Sequence, residues 1–125
     1  QYNVTCASSI SQYAAIAALT AGVDDALPMK QEYRSRRDYV HARLTDMGLP
    51  LSKPEGAFYL FPSIRHLNME SMDFALRLLE EQQVAVVPGS AFSVYGEGYI
   101  RLSYACAQSV LEQGLDRLES FVNQL

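Results

Sequence analysis

Residues 98–105 read Gly98-Tyr99-Ile100-Arg101-Leu102-Ser103-Tyr104-Ala105, directly behind the turn-rich segment Val87-Pro88-Gly89-Ser90-Ala91-Phe92. Ile100, Leu102 and Tyr104 alternate with Tyr99, Arg101 and Ser103. A period of two is typical of a strand and sends alternate side chains to opposite faces of the sheet. The pattern therefore predicts a strand whose most apolar face enters the core and whose other face carries Arg101.

Arg101 makes a carboxylate-binding site the leading functional hypothesis. A planar guanidinium held by a strand can bind a carboxylate through two parallel hydrogen bonds, which a flexible ammonium does less well. The alternative is an ordinary solvated sheet face, on which an arginine has no specific role.

The remaining pattern indicates an α+β fold. Ser8, Ser9 or Ser11 can cap a helix that runs to about Leu19, because a serine hydroxyl accepts hydrogen bonds from the unpaired first amides of a helix. Gly22 is expected to break that helix. A longer helix is predicted from Asp24 or Asp25 to Gly48, with Pro28 in its first turn. Its predicted apolar side contains Met29, Tyr33, Val40, Leu44 and Met47.

Further elements follow the long helix. A central strand is expected from Gly56 to Phe61 and a short apolar strand from Val84 to Val87. Ser71 is expected to cap one helix, and Ser109 with Glu112 has the spacing of a capping box at the start of the last helix. The predicted buried stripes are Phe74, Ala75, Leu78 and Leu79 in the first of these helices and Leu111, Leu115, Leu118 and Val122 in the second. We expect a small, mainly antiparallel sheet with helices packed on one face, preceded by the long helix.

Four segments resemble, in order and spacing, the C-terminal part of the aspartate-aminotransferase-like, fold-type-I pyridoxal-phosphate enzymes, the class I/II aminotransferases. They are Ser9–Leu19, Pro54–Pro62, Val84–Phe92 and Gly96–Ala105. The resemblance implies that residues 1–23 end a large cofactor domain and that residues 24–125 form the small C-terminal domain with the long connecting helix. It also implies pyridoxal 5'-phosphate as cofactor, amino acid and 2-oxo acid substrates, a homodimer and a cytoplasmic location.

By the same resemblance, Arg101 matches the arginine that binds the substrate α-carboxylate. Gly56, Phe58 and Phe92 are further candidates for substrate contact, although a turn explains the glycine equally well and aromatic side chains at strand spacing are more often core. The implied reaction is transamination. A related pyridoxal-phosphate lyase or decarboxylase, and an aminotransferase-like sensor domain of a transcription regulator, remain as alternatives.

The first residue is Gln1, and we interpret the chain as a fragment. The resemblance places the Schiff-base lysine before Ser9, and neither Lys30 nor Lys53 has an apolar sequence setting that would lower the pKa of an amine. We therefore assign no catalytic or cofactor-binding residue here and expect the chain alone to be inactive.

Composition excludes several other classes of function. The net charge of −4 argues against a nucleic-acid surface. Cys6 and Cys106 have no disulfide or metal-ligand spacing, and His41 and His66 are too isolated to nominate a metal site. No stretch is long and apolar enough to span a membrane.

Overall fold

The computed structural model describes residues 6–125, and the chain divides into two compact units, residues 1–32 and 33–125. Within the described range the helices are α1 (Ser9–Thr20), α2 (Leu27–Asp46), α3 (Ser71–Gln82) and α4 (Gln108–Val122), and the strands are β1 (Tyr59–Leu60), β2 (Val87–Pro88) and β3 (Ile100–Ser103). Short 3-10 helices occupy Val23–Ala26, Arg65–Leu67, Gly89–Ala91 and Val94–Gly96.

The first unit contains α1, one 3-10 helix and the start of α2. Ser8 is the N-cap of α1, and its hydroxyl accepts a hydrogen bond from the Ser11 amide. Gly22 follows the helix as predicted. The long helix begins at Leu27 rather than at Asp24 or Asp25, because those aspartates belong to the tighter 3-10 helix. Met29, predicted on the buried side, is exposed.

The sheet of the second unit is antiparallel, with the strand order β1-β3-β2. The prediction of a central strand over Gly56–Phe61 is wrong: β1 lies at an edge and is only two residues long. Ala57 adopts the left-handed conformation with φ of 59°, so the extended backbone cannot begin at Gly56. The strand predicted at Val84–Val87 is also displaced, and pairing with β3 begins only at Val87.

The core lies between the sheet and the helices of the second unit. Leu60 and Ile100 project from the strands onto Val40 and Leu44 of α2 and onto the apolar faces of α3 and α4. The fully enclosed members of this core are Val40, Leu44, Leu49, Leu60, Ile64, Phe74, Leu78, Ile100, Tyr104, Leu118 and Phe121. The expected α+β architecture, with a small antiparallel sheet and helices on one face, is therefore confirmed.

The buried apolar stripes predicted for α3 and α4 are confirmed with two exceptions. Leu79 is exposed, and the buried Phe121, absent from the predicted stripe, packs edge-to-face on Phe74 at a centroid distance of 5.2 Å. The glycine expected to end α2 lies two residues after the helix. Gly48 has φ of 77°, a conformation that glycine adopts without steric cost.

The serine caps predicted for α3 and α4 are both wrong, unlike the Ser8 cap of α1. Helix α4 begins at Gln108 after Ala107, so Ser109 already lies inside the first turn and forms no capping box. Helix α3 begins at Ser71 itself, after Glu70, and neither residue's side chain caps it locally. Among residues 6–125, no helix is both long and apolar enough to cross a membrane.

Candidate substrate-carboxylate site

The face of the sheet turned away from the helices carries Arg101. In the antiparallel register Tyr59 lies opposite Ser103, and Val87 lies opposite Arg101. Side chains directly opposite each other project to the same side of a sheet, so Tyr59, Arg101 and Ser103 share one face. Ile100 on the other face is fully buried. The alternation predicted from the sequence is therefore confirmed.

Two aromatic rings contact the Arg101 guanidinium. Its Cζ lies 4.3 Å from the centroid of the Tyr59 ring and 4.7 Å from that of the Phe92 ring. The side chain is half-buried, and within the part of the chain that the structure describes it forms no ion pair and no hydrogen bond. Cation–π contacts hold a guanidinium through the ring faces and leave its N–H donors free for a planar anion.

The two rings belong to a longer row of aromatic and cationic side chains. Phe92 packs edge-to-face on Phe61 at 6.1 Å, and Phe61 stacks on Tyr99 at 5.2 Å with an interplanar angle of 4°. Arg65 lies over Tyr99 at 4.8 Å. The face is thus built of neighbouring rings with an arginine at two points, and no acidic side chain within residues 6–125 pairs with Arg101.

The structure brings Phe92 to Arg101 but not the other candidates. The Phe58 ring packs on the Tyr59 ring at a centroid distance of 4.5 Å, so Tyr59 lies between Phe58 and the Arg101 guanidinium. Gly56 is exposed, and a Cβ added there would meet nothing within 4 Å. The left-handed residue of this turn is Ala57, whose carbonyl accepts a hydrogen bond of 2.8 Å from the Tyr104 hydroxyl.

Sequence reasoning missed Glu97, which lies at the turn before β3. Its carboxylate accepts hydrogen bonds from the Ser71 amide at 2.7 Å, the Ser71 hydroxyl at 2.9 Å and the Gly98 amide at 2.9 Å. These donors, the Ser71 amide first, hold the pKa of Glu97 below its ordinary value. Glu97 therefore caps α3 from 26 residues away, which no local capping pattern could have indicated.

The described residues offer no lysine suited to a Schiff base with pyridoxal phosphate. Lys53 is engaged by Asp38 at 2.9 Å and stands about half exposed, and Lys30 is exposed on α2. Both ammonium groups are open to solvent rather than enclosed in an apolar pocket. No cluster of three potential metal ligands occurs in residues 6–125, and both cysteines are free thiols.

Comparison with known proteins assigns the family. The profile for "Aminotransferase class I and II" matches residues 1–118. The chain therefore belongs to the class I and II aminotransferases, as the sequence resemblance indicated.

Two curated relatives and one solved structure illustrate the match. The chain is 62% identical over 98% of its length to a probable N-acetyl-LL-diaminopimelate aminotransferase of Bacillus subtilis, and 44% identical over 98% to aromatic-amino-acid aminotransferase 2 of Thermococcus litoralis. It covers 31% and 32% of those two proteins. The crystal structure of an aromatic aminotransferase from Pyrococcus horikoshii superposes with a TM-score of 0.91 and 46% identity, over 98% of this chain and 33% of that one. The chain thus spans about a third of the length of the relatives that it matches.

Proposed function

We propose that this chain is the C-terminal part of a pyridoxal-phosphate-dependent aminotransferase and that Arg101 binds the α-carboxylate of its amino acid and 2-oxo acid substrates. The observation that carries the proposal is the Arg101 guanidinium, half-buried on the open face of the sheet, contacted by the Tyr59 and Phe92 rings and free of any described acidic partner. Membership of the aminotransferase family supports the reaction class.

The chemistry of the site favours an anion that is planar and bidentate. The guanidinium donates along its edges, and a carboxylate offers two oxygens at the matching separation. The rings of Tyr59 and Phe92 cover part of the guanidinium, so a hydrogen bond made there is less exposed to water than one in open solvent. Binding the carboxylate in one orientation fixes the Cα of the substrate, which supports the reaction through positioning.

Substitution of Arg101 in the whole protein tests this role. Removing the charged partner of a desolvated carboxylate costs about 2–5 kcal/mol, so we expect Arg101→Gln to lower kcat/KM by roughly 1.5 to 3.5 orders of magnitude. Arg101→Lys keeps the charge but loses the bidentate geometry, and we expect it to raise KM sharply for both the amino acid and the 2-oxo acid.

Arg77 offers a matched control. It too lies over an aromatic ring, that of Phe121 at 5.4 Å, and its Nε donates to Glu81 at 2.8 Å, but it lies on α3. Arg77→Gln removes the same kind of side chain away from the proposed site, and KM should stay within twofold of the unmodified protein, on the order of 0.4 kcal/mol. Unchanged substrate affinity in Arg101→Gln would remove Arg101 from the site.

The relatives provide the substrates to test first. The 62% identical relative is named for N-acetyl-LL-diaminopimelate, and the more distant relatives are named for aromatic amino acids and aspartate. These compounds are the first donors to test. Formation of a 2-oxo acid from one donor at a kcat/KM well above the rest would identify the substrate. Product chemistry other than amino transfer would favour the lyase or decarboxylase alternative.

The remaining expectations belong to the same proposal. Residues 1–23 would end a larger cofactor domain, and the exposed apolar side chains Ile10, Ile16 and Leu19 of α1 support this because such side chains are normally covered. The homodimer and the cytoplasmic location stay predictions. The 125-residue chain alone should not transaminate, since Lys30 and Lys53 have no suitable setting.

A further inference from the structure

A hydrogen-bonded cluster joins three segments beside the proposed carboxylate site. Glu97 binds the amide and hydroxyl of Ser71 at the start of α3, and it also accepts from the amide of Gly98 just before β3. The Ser71 and Ser90 hydroxyl oxygens lie 3.0 Å apart, and the Ser90 amide donates to the Ser71 oxygen at 3.3 Å. We call Glu97, Ser71 and Ser90 the Glu97 cluster.

The cluster determines where the Gly89–Ala91 turn sits. Ser90 is the middle residue of that 3-10 helix. Phe92 is the first residue after the helix, and its amide donates to the Gly89 carbonyl at 3.0 Å. The Gly89 amide in turn donates to the Tyr99 carbonyl at 2.8 Å. The turn is thus held at Ser90 by the cluster and at Gly89 by the backbone that leads into β3.

The buried position of Ser71 makes this arrangement sensitive to Glu97. Ser71 has no exposed surface, and its amide and hydroxyl both use the Glu97 carboxylate as acceptor. A buried donor that loses its acceptor must either stay unsatisfied or move toward water. Movement of Ser71 would displace Ser90 and therefore the Phe92 ring.

We propose that the Glu97 cluster is a positioning device for substrate binding: it holds Phe92 against the Arg101 guanidinium and so fixes the orientation in which Arg101 meets a carboxylate. The inference rests on the proposed role of Arg101 and extends it to residues that do not touch the substrate. Phe92 is half-exposed and contacts Arg101 at 4.7 Å, so its place depends on the backbone of the turn more than on core packing.

A double-mutant cycle in the whole protein tests the proposal. The variants are Glu97→Gln, Arg101→Lys and the pair, measured for KM and kcat with the amino acid and the 2-oxo acid. Glu97→Gln keeps one acceptor oxygen but replaces the second, which accepts from the Ser71 hydroxyl, by an NH2 donor, so alone it should raise KM for both substrates roughly fivefold with a smaller change in kcat. In the Arg101→Lys background the same substitution should raise KM less than about twofold, because Glu97 acts through the geometry of Arg101.

Controls separate positioning from stability. Glu81→Gln removes an exposed carboxylate from the same helix, where it accepts from Arg77, and should leave KM unchanged. Ser90→Ala removes one hydroxyl of the cluster and keeps the Glu97 contacts to Ser71. It should also raise KM, by a smaller factor than Glu97→Gln. If Glu97→Gln fails to fold, Ser90→Ala replaces it as the test of the cluster. Thermal unfolding of each variant is recorded so that all kinetics are measured on folded protein.

The outcomes distinguish the two proposals. If Arg101→Lys raises KM but Glu97→Gln and Ser90→Ala do not, the cluster only stabilises the fold and the positioning role is wrong. Equal effects of Glu97→Gln in both backgrounds would also overturn it, because independent effects add. If Arg101→Lys itself leaves KM unchanged, Arg101 does not bind the substrate carboxylate, and the proposed function is refuted together with the positioning role that rests on it.

Discussion

The close crossing of Gly89 and Gly96 gives the sharpest prediction for stability. A Cβ built on Gly89 would overlap the Gly96 carbonyl oxygen and would lie 2.8 Å from the carbonyl oxygen of Tyr99. The obstructing atoms belong to the backbone, so no side-chain rotation can make room. Gly89→Ala must therefore push the 89–91 turn away from the turn at Gly96.

The size of the effect follows from the contacts that such a shift breaks. Overpacking costs about 1–3 kcal/mol, and weakening the hydrogen bond from the Gly89 amide to the Tyr99 carbonyl adds about 0.5–1.5 kcal/mol. The lower unfolded-state entropy of alanine offsets about 0.4–1 kcal/mol. We expect a net local destabilisation centred on about 2.3 kcal/mol (range about 0.5–4 kcal/mol), which corresponds to a roughly fiftyfold loss of amide protection at the centre of the range.

Gly114 is the matched control, because it lies inside α4 and a Cβ there would meet nothing within 4 Å. Alanine favours a helix interior over glycine by about 0.5–1 kcal/mol, so Gly114→Ala should stabilise α4.

Hydrogen–deuterium exchange of the whole protein, read by mass spectrometry, localises both effects. Peptides spanning residues 87–104 should exchange faster in Gly89→Ala, and peptides of α4 should exchange more slowly in Gly114→Ala. Wild-type protection of residues 87–104 in Gly89→Ala would refute the steric argument.

Two further predictions concern Gly56 and Glu97. Gly56→Ala should leave the unfolding temperature within about 1 °C, since its Cβ position is open; a raised KM in this folded variant would then report substrate approach, and an unchanged KM would remove Gly56 from the candidates. The folded-state pKa of Glu97 is lowered from 4.5, so its stabilising contribution is present above pH 4.5 and is lost as the pH falls through the lowered value. The difference in unfolding temperature between the unmodified protein and Glu97→Gln should shrink over that acidic window; a constant difference would show that the charge of Glu97 does not stabilise the fold.

The sequence predicted those parts of the fold that depend on periodicity. The alternation through Ile100, Arg101 and Leu102 correctly separated the core face of β3 from the open face. Apolar spacing likewise identified the buried sides of α3 and α4, and Gly48 marked the end of α2. These features are local, because a strand or helix repeats its orientation every few residues.

Other features required contacts that local pattern does not contain. Glu97 between two glycines looks like an ordinary turn residue, and its role depends on Ser71 arriving from α3. The length of β1 was overestimated because Ala57, rather than the neighbouring Gly56, takes the left-handed conformation, where the Tyr104 hydroxyl binds its carbonyl. Alanine rarely adopts that conformation, so sequence alone favours the glycine.

The same long-range contacts explain how so small a sheet can hold a binding geometry. β1 and β2 contribute two residues each, so ladder hydrogen bonds alone cannot fix the rings on either side of Arg101. The Tyr59 side is fixed instead by the turn at Ala57, which Tyr104 holds from the buried core. The Phe92 side is fixed by the Gly89–Gly96 crossing and the Glu97 cluster. If carboxylate binding depends on both rings, substitutions at these supports should change KM without touching the substrate, and combined substitutions on opposite sides of Arg101 should be non-additive, because both sides act through the same guanidinium.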